Sequence, residues 1–129
     1  MNDAARGKYL RIALVVVGLT FIFGLYPLMN ILWPSGWSWE PRQHEYEQMI
    51  MGVYATLGVF LLLASRNPSE HRSLISFTVW SGVVHAAIMA VQAIVDPTER
   101  ANLLGDVPAL FIVALILAVL MPRRFSSLP

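Results

Sequence analysis

The third of four long apolar stretches, residues 74–95, constrains the fold of this chain more than any other feature. About 20 apolar residues, rising ~1.5 Å each, cross the hydrocarbon core of a bilayer as one α-helix. Residues with a nitrogen, oxygen or sulfur atom in the side chain recur in this stretch at steps of three and four, so they share one helical face. A histidine inside a membrane span costs free energy unless it faces protein, water or a ligand. We therefore expect the other spans to pack around this face, which comprises Thr78, Ser81, His85, Met89 and Gln92.

The composition also favours a membrane protein. Hydrophobic residues make up 57% of the chain and charged residues 13%, with a mean hydropathy of +0.61. Soluble domains usually carry ~25% charged residues. The formal net charge of +1, without a clustered basic patch, predicts no nucleic-acid partner. The chain contains no cysteine, so it cannot by itself ligate an iron–sulfur cluster or perform thiol redox chemistry.

The sequence predicts an all-α integral membrane bundle of four transmembrane helices, with a short interfacial helix before the fourth. We expect one domain over residues 1–129. Turn-forming residues separate the apolar stretches, and Asn67 and Asp96, each followed by proline, are typical N-caps. Pro27 is expected to kink the first span or to begin its exit. The predicted spans are residues 12–33, 46–64, 74–95 and 104–121.

Small residues on the second and third spans predict close helix contacts. Gly52 and Thr56 form a small-xxx-small pair on the second span. Gly82, Ala86 and Ala90 form a seam on the third span, beside its polar face.

The distribution of basic residues predicts the orientation, because cytoplasmic ends of membrane spans carry an excess of lysine and arginine. With both termini cytoplasmic, Arg42 and Arg100 lie outside and most acidic residues lie with them. This arrangement predicts a multi-pass protein of the bacterial inner membrane. The basic residues then on the cytoplasmic side are Arg6, Lys8, Arg11, Arg66, Arg72, Arg123 and Arg124.

In this topology several polar residues meet at the outer end, where they would line a cleft that narrows toward His85. The candidate ligand-binding residues are His85, Gln92, Glu47, Tyr54 and Asp106. Each also has a structural interpretation. His85 is a ligand-binding residue, a proton carrier or an interhelical hydrogen-bond partner. Tyr54 is a partner for His85 or a core tyrosine, Asp106 is an N-cap, and Gln92 contributes to packing.

His44 and Glu47 are candidate metal ligands, because their i, i+3 spacing places both on one helical face. The alternative is a hydrated helix start with acidic residues near its positive end. No lysine lies within a span, so no retinal Schiff base is expected, and no pair of histidines at matched depth indicates haem. A quinone or a metal are the cofactors left open, and the sequence identifies no catalytic residue.

Four segments resemble small four-span bacterial proteins of the DoxX-like type and related uncharacterised families. They are MGVYATLGVFLLLASR (51–66), HRSL (71–74), WSGVVHAAIM (80–89) and GDVP (105–108). The resemblance begins near His44 and covers about two thirds of the chain. It implies a four-helix membrane bundle, and some members of the DoxX group are small membrane subunits of quinone-linked oxidoreductases. It transfers no catalytic residue.

Two functions follow as hypotheses. The first is an accessory or structural subunit that docks on other membrane proteins or self-associates, and that is not an enzyme. The alternative is a ligand-handling protein or small enzyme that binds a quinone, lipid, isoprenoid or metal in the outward-facing cleft around His85. In the alternative, His85 or Glu47 would serve as acid or base.

Overall fold

The computed structural model describes residues 1–123, and over these residues it is helical without any strand. The helices are α1 (Asp3–Leu32), α2 (Pro34–Trp37), α3 (His44–Ala64), α4 (Arg72–Val95) and α5 (Asp106–Leu120). A 3₁₀ turn, Pro68–His71, leads into α4, and a 3₁₀ helix, Pro97–Leu103, precedes α5. Arg124, which the orientation argument counts, lies outside the described residues.

Four of these helices are long and apolar enough to cross a membrane, and the described residues confirm the predicted all-α fold. They are α1, α3, α4 with its 3₁₀ turn, and α5 with the 3₁₀ helix before it. Large apolar side chains cover their outer faces, and Val53, Phe77 and Trp80 are each more than 60% exposed. In a bilayer such faces contact lipid tails instead of water. The fourth span, α5, reaches this length because the 3₁₀ helix runs almost directly into it.

The spans do not all pack on their neighbours in sequence. Helix α1 packs against α3 and α5, and α5 packs extensively against α4, whereas α3 and α4 barely touch. The core lies where α1 meets the other spans, around Leu14, Leu61, Ile75 and Leu117, all of which are fully buried. At the end where α1 begins and α5 ends, Arg6 donates a hydrogen bond to the carbonyl of Val119 at 2.9 Å. This contact fastens the start of α1 to the last turn of α5.

The contact between α1 and α3 depends on two glycines. A Cβ atom on Gly58 would lie 2.6 Å from the carbonyl oxygen of Gly18, so the two backbones meet there directly. The sequence prediction named Gly52 and Thr56 for this kind of contact, and within this chain that prediction is wrong. Both residues are exposed, and a Cβ on Gly52 would meet nothing within 4 Å. On α4, by contrast, Gly82 does face a neighbouring helix, since its Cβ would lie 3.9 Å from Ala114 of α5.

Helix α1 continues through Pro27 in widened turns. Its backbone changes from α to π geometry at Thr20–Gly24 and again at Leu28–Leu32. Proline cannot donate its backbone hydrogen bond and collides with the preceding turn, and a wider turn relieves both effects. Of the two outcomes expected at Pro27, a kink or the start of an exit, the exit does not occur there, because the helix continues to Leu32. The same stretch of α1 carries Phe21, Leu25 and Met29, which line a cavity described next.

Candidate functional site

A cleft of about 380 Å³ lies at the end of the bundle where α1 ends and α3 and α5 begin. It is bounded by α1, the segment after α2, and the facing ends of α3, α4 and α5. Most of its wall is apolar or aromatic, and a few polar side chains project into it. Such a combination is usual for small-molecule sites, which occupy ~300–1,000 Å³. The lining includes Phe21, Leu25, Met29, Trp37, Trp39, Tyr46, Ile50, Met51, Met89 and Leu110, together with polar Glu47, Tyr54, His85, Gln92 and Asp106.

The cleft thus contains all five residues that the sequence singled out as candidate ligand contacts. They come from three helices and are far apart in sequence, so their convergence is a property of the fold. Gln92 is exposed near the end of α4, and His85 lies two turns deeper, about 10 Å at ~1.5 Å per residue.

His85 and Tyr54 form a hydrogen-bonded pair inside the cleft. The hydroxyl oxygen of Tyr54 lies 2.6 Å from Nδ1 of His85. The Tyr54 ring is fixed in turn by Phe21, which it meets edge to face at 4.9 Å between ring centres. A neutral imidazole has one donor and one acceptor nitrogen, so the bond at Nδ1 decides which role Nε2 takes. If the tyrosine hydroxyl donates to Nδ1, Nε2 carries a proton and is a hydrogen-bond donor.

Asp106 is the first residue of α5 and is 7% exposed. Its Oδ2 accepts a hydrogen bond of 2.9 Å from the indole nitrogen of Trp39. Gly105 occupies the N-cap position instead, so the N-cap interpretation of Asp106 is displaced by one residue. The carboxylate still lies in the first helical turn, where the helix dipole favours negative charge. Within the described residues, its Oδ1 is buried and has no hydrogen-bond partner.

Glu47 is engaged by an arginine that the sequence analysis placed outside but did not assign to the site. Arg42 donates to both carboxylate oxygens of Glu47, at 2.7 and 2.8 Å, and to the side-chain oxygen of Asn30 at 2.8 Å. The hydrogen bond to Glu47 is the main reason that the pKa of Arg42 is raised above its ordinary value. Such a two-pronged pair is geometrically specific. It positions Glu47 at the rim of the cleft and occupies both of its oxygens.

The described part of the fold brings no further metal ligand to His44 and Glu47, the candidate metal-binding pair. Nδ1 of His44 lies 3.7 Å from Glu47, and the histidine side chain is 67% exposed. Among the residues that the structure describes, no group of three or more histidine, cysteine, aspartate or glutamate side chains is arranged to hold a metal ion.

A buried polar cluster holds the segment that carries Trp39, and the sequence analysis did not identify it. Asn102 is fully buried and donates to Oε2 of Glu99 at 2.9 Å and to the carbonyl of Ser38 at 3.3 Å. Glu99 also accepts a hydrogen bond from the backbone N–H of Glu40 at 2.5 Å. The i, i+3 spacing of Glu99 and Asn102 was the available clue, because it places both on one face of the 3₁₀ helix. The cluster fixes the loop on both sides of Trp39.

Two glycines bring α2, which leads into the same loop, against the start of α5. A Cβ on Gly105 would collide with the backbone of Gly36, so no larger residue fits there without displacement of the loop. The contact and the polar cluster together hold Trp37 and Trp39 against the cleft.

Comparison with known proteins gives one match. No curated protein and no solved structure matches the chain, and no match links it to the DoxX-like group. A family model covers residues 4–127, which is nearly the whole sequence. The chain therefore belongs to DUF6632, a family of unknown function.

Proposed function

We propose that this protein binds a lipid-soluble ligand whose polar end carries a carbonyl group, such as a quinone or an acyl lipid, in the cleft around His85. The observation that carries the proposal is the Tyr54–His85 hydrogen bond inside an otherwise mainly apolar cavity. An ionisable residue at this depth in a membrane protein is costly unless it faces protein, water or a ligand, and the bond to Tyr54 engages only Nδ1 of His85. The proposal is one of binding and assigns no reaction.

The chemistry of the pair favours a carbonyl oxygen as the group it recognises. With the Tyr54 hydroxyl donating to Nδ1, the Nε2 proton of His85 is available to an acceptor. Tyr54 and Phe21 restrict the imidazole and phenol rings, which lowers the entropy cost of binding. The surrounding aromatic and methionine side chains suit a flat or flexible apolar body.

The placement in the cell is part of the same proposal. The basic residues Arg6, Lys8, Arg11, Arg66 and Arg72 lie at the end opposite the cleft, on or near the termini of α1, α3 and α4. The excess of positive charge at that end supports cytoplasmic termini and a cleft that opens on the outer face of a bacterial inner membrane.

Native mass spectrometry with a benzoquinone probe that bears a decyl tail tests the proposal. The unchanged protein should bind one probe per chain. Tyr54→Phe should weaken binding about fivefold, because a hydrogen bond contributes ~1 kcal/mol. Tyr26→Phe makes the same chemical change on an exposed side chain outside the cleft and should bind like the unchanged protein. Absence of a one-to-one complex, or equal weakening by both variants, would refute the proposal.

A second candidate function is that of a docking subunit in a larger membrane complex or a homo-oligomer. It is favoured by Gly52 and Thr56, which form a small-residue face on α3 that no part of the described chain covers. The Thr56 hydroxyl donates a hydrogen bond to the carbonyl of Gly52 at 2.9 Å, so its donor needs no partner from another helix. The Gly82 seam on α4 is already used by α5, which leaves α3 as the docking helix.

The docking function makes a separate prediction. Gly52→Leu should abolish any native assembly mass above that of one chain, because the larger side chain prevents close helix contact. Val91→Leu, on an exposed face of α4, is the control. Assembly that survives Gly52→Leu would refute docking through this face.

A further inference from the structure

A second cavity, of about 350 Å³, opens between α3 and α4. All of its lining residues belong to these two helices. It exists because α3 and α4 pack against α1 and α5 and barely against each other. We call it the lateral groove; its lining is Tyr46, Met49, Ile50, Val53, Tyr54, Leu57, Phe77, Ser81 and His85.

The lateral groove and the cleft meet at shared residues. Tyr46, Ile50, Tyr54 and His85 line both cavities. The Tyr54–His85 hydrogen bond therefore stands at the junction of the two spaces, and it is also what links the helices that flank the groove. A ligand bound at this pair has the cleft on one side and the groove on the other.

The chemistry of the groove differs from that of the cleft. Away from the shared residues its wall consists of Met49, Val53, Leu57 and Phe77, with Ser81 as the one polar contribution. Val53 and Phe77 are 68% and 62% exposed and belong to faces of the two spanning helices. In a bilayer the open side of the groove consequently faces lipid tails.

We propose that the lateral groove holds the apolar tail of the ligand whose carbonyl end is bound at Tyr54 and His85. This inference rests on the proposed function and narrows it. The ligand is a single-tailed compound, with a ring or carbonyl head and an alkyl or isoprenoid chain. It exchanges with the hydrocarbon core of the membrane through the gap between α3 and α4, while the cleft accommodates the head.

The linings of the two cavities agree with a ligand divided in this way. The cleft, with its tryptophans and polar groups, suits a flat polar head. The groove is mainly apolar and is lined by two helices only, which suits one chain better than the paired chains of a phospholipid. A tail gains little from burial when the alternative is lipid, so the groove would select by shape and packing instead of by the hydrophobic effect.

The test uses the decyl benzoquinone with a photoreactive diazirine at the end of its tail, bound to the full chain in lipid nanodiscs. After illumination, peptide mass spectrometry should find the label on Met49, Val53 or Phe77, and excess unlabelled decyl benzoquinone should remove it. Val53→Phe should abolish labelling of Met49 and Phe77, because the added ring fills the groove. Val59→Phe makes the same change on an exposed face of α3 outside both cavities and should leave the labelling intact.

The outcomes separate this inference from the proposed function. One-to-one binding with label on Trp37, Gln43 or other residues at the cleft mouth would keep the proposed function and overturn the tail site. Labelling of the groove that persists in Val53→Phe would also overturn the tail site. If neither specific labelling nor a one-to-one complex is found with the unchanged protein, both proposals fail.

Discussion

The hydroxyl of Tyr54 and Nδ1 of His85, 2.6 Å apart, join α3 and α4, two helices that otherwise hardly contact one another. The bond lies where the cleft and the lateral groove meet. Tyr54 therefore has two roles, one in helix packing and one as a hydrogen-bond partner of His85. Its ring packs on Phe21 of α1, and its hydroxyl reaches α4.

This bond should be detectable as a coupling energy in a double-mutant cycle. Tyr54→Phe and His85→Leu should each destabilise the protein, and the double variant should be little worse than the worse single variant. Interhelical hydrogen bonds in membranes contribute ~0.6–2 kcal/mol, so we expect a coupling of about 1 kcal/mol. Reversible unfolding in mixed micelles measures it. Additive effects would show that the bond contributes nothing to stability.

The glycine contact between α1 and α3 predicts a position-specific effect of alanine. Gly58→Ala should destabilise the fold by about 1–3 kcal/mol, because the added methyl would overlap the carbonyl of Gly18. Gly52→Ala has open space and should be neutral or stabilising by up to ~1 kcal/mol, since alanine favours helices. The same unfolding measurement compares the two. Equal effects would contradict the direct backbone contact at Gly58.

The Arg42–Glu47 pair should stabilise the rim of the cleft at neutral pH. The hydrogen bond to Glu47 raises the pKa of Arg42, so the stability that the arginine charge contributes is fully present below its unfolded-state pKa. It is lost only as the pH rises through the still higher folded-state pKa. Arg42→Gln should therefore reduce thermal stability at neutral pH, whereas Arg100→Gln, on an exposed side chain, should not. Equal melting temperatures for Arg42→Gln and the unchanged protein would contradict this role.

Loss of the Trp39–Asp106 hydrogen bond should destabilise the fold, because the Asp106 carboxylate would stay buried without its donor. Trp39→Phe keeps an aromatic ring but removes the donor to a buried carboxylate, which should cost about 1–3 kcal/mol. Adding Asp106→Asn should recover part of that loss, because a neutral amide is less costly to bury without this donor. Trp80→Phe, on an exposed ring, controls for the general effect of losing an indole. A loss of equal size in Trp80→Phe, or no recovery in the double variant, would count against this bond.

The long helices were predictable because each corresponds to a continuous apolar stretch of sequence. The convergence of the five cleft residues followed from the order of the helices and the helical period. The polar contacts of these residues were harder to predict. Arg42 engages Glu47, and Trp39 engages Asp106, through loops whose course no periodicity describes. The close glycine contact was assigned to Gly52 instead of Gly58, since sequence spacing alone does not say which face of α3 meets α1. The gap between α3 and α4 could not be predicted from the sequence, because it depends on how all four long helices pack together.

The most direct test of the account is native mass spectrometry of the protein released gently from its own membrane, with Tyr54→Phe prepared in parallel. We expect one lipid-soluble, carbonyl-bearing compound per chain on the unchanged protein and a clearly lower occupancy in Tyr54→Phe. A bare chain, or a chain accompanied only by other polypeptides, would contradict the ligand site. The second result would instead support the docking function.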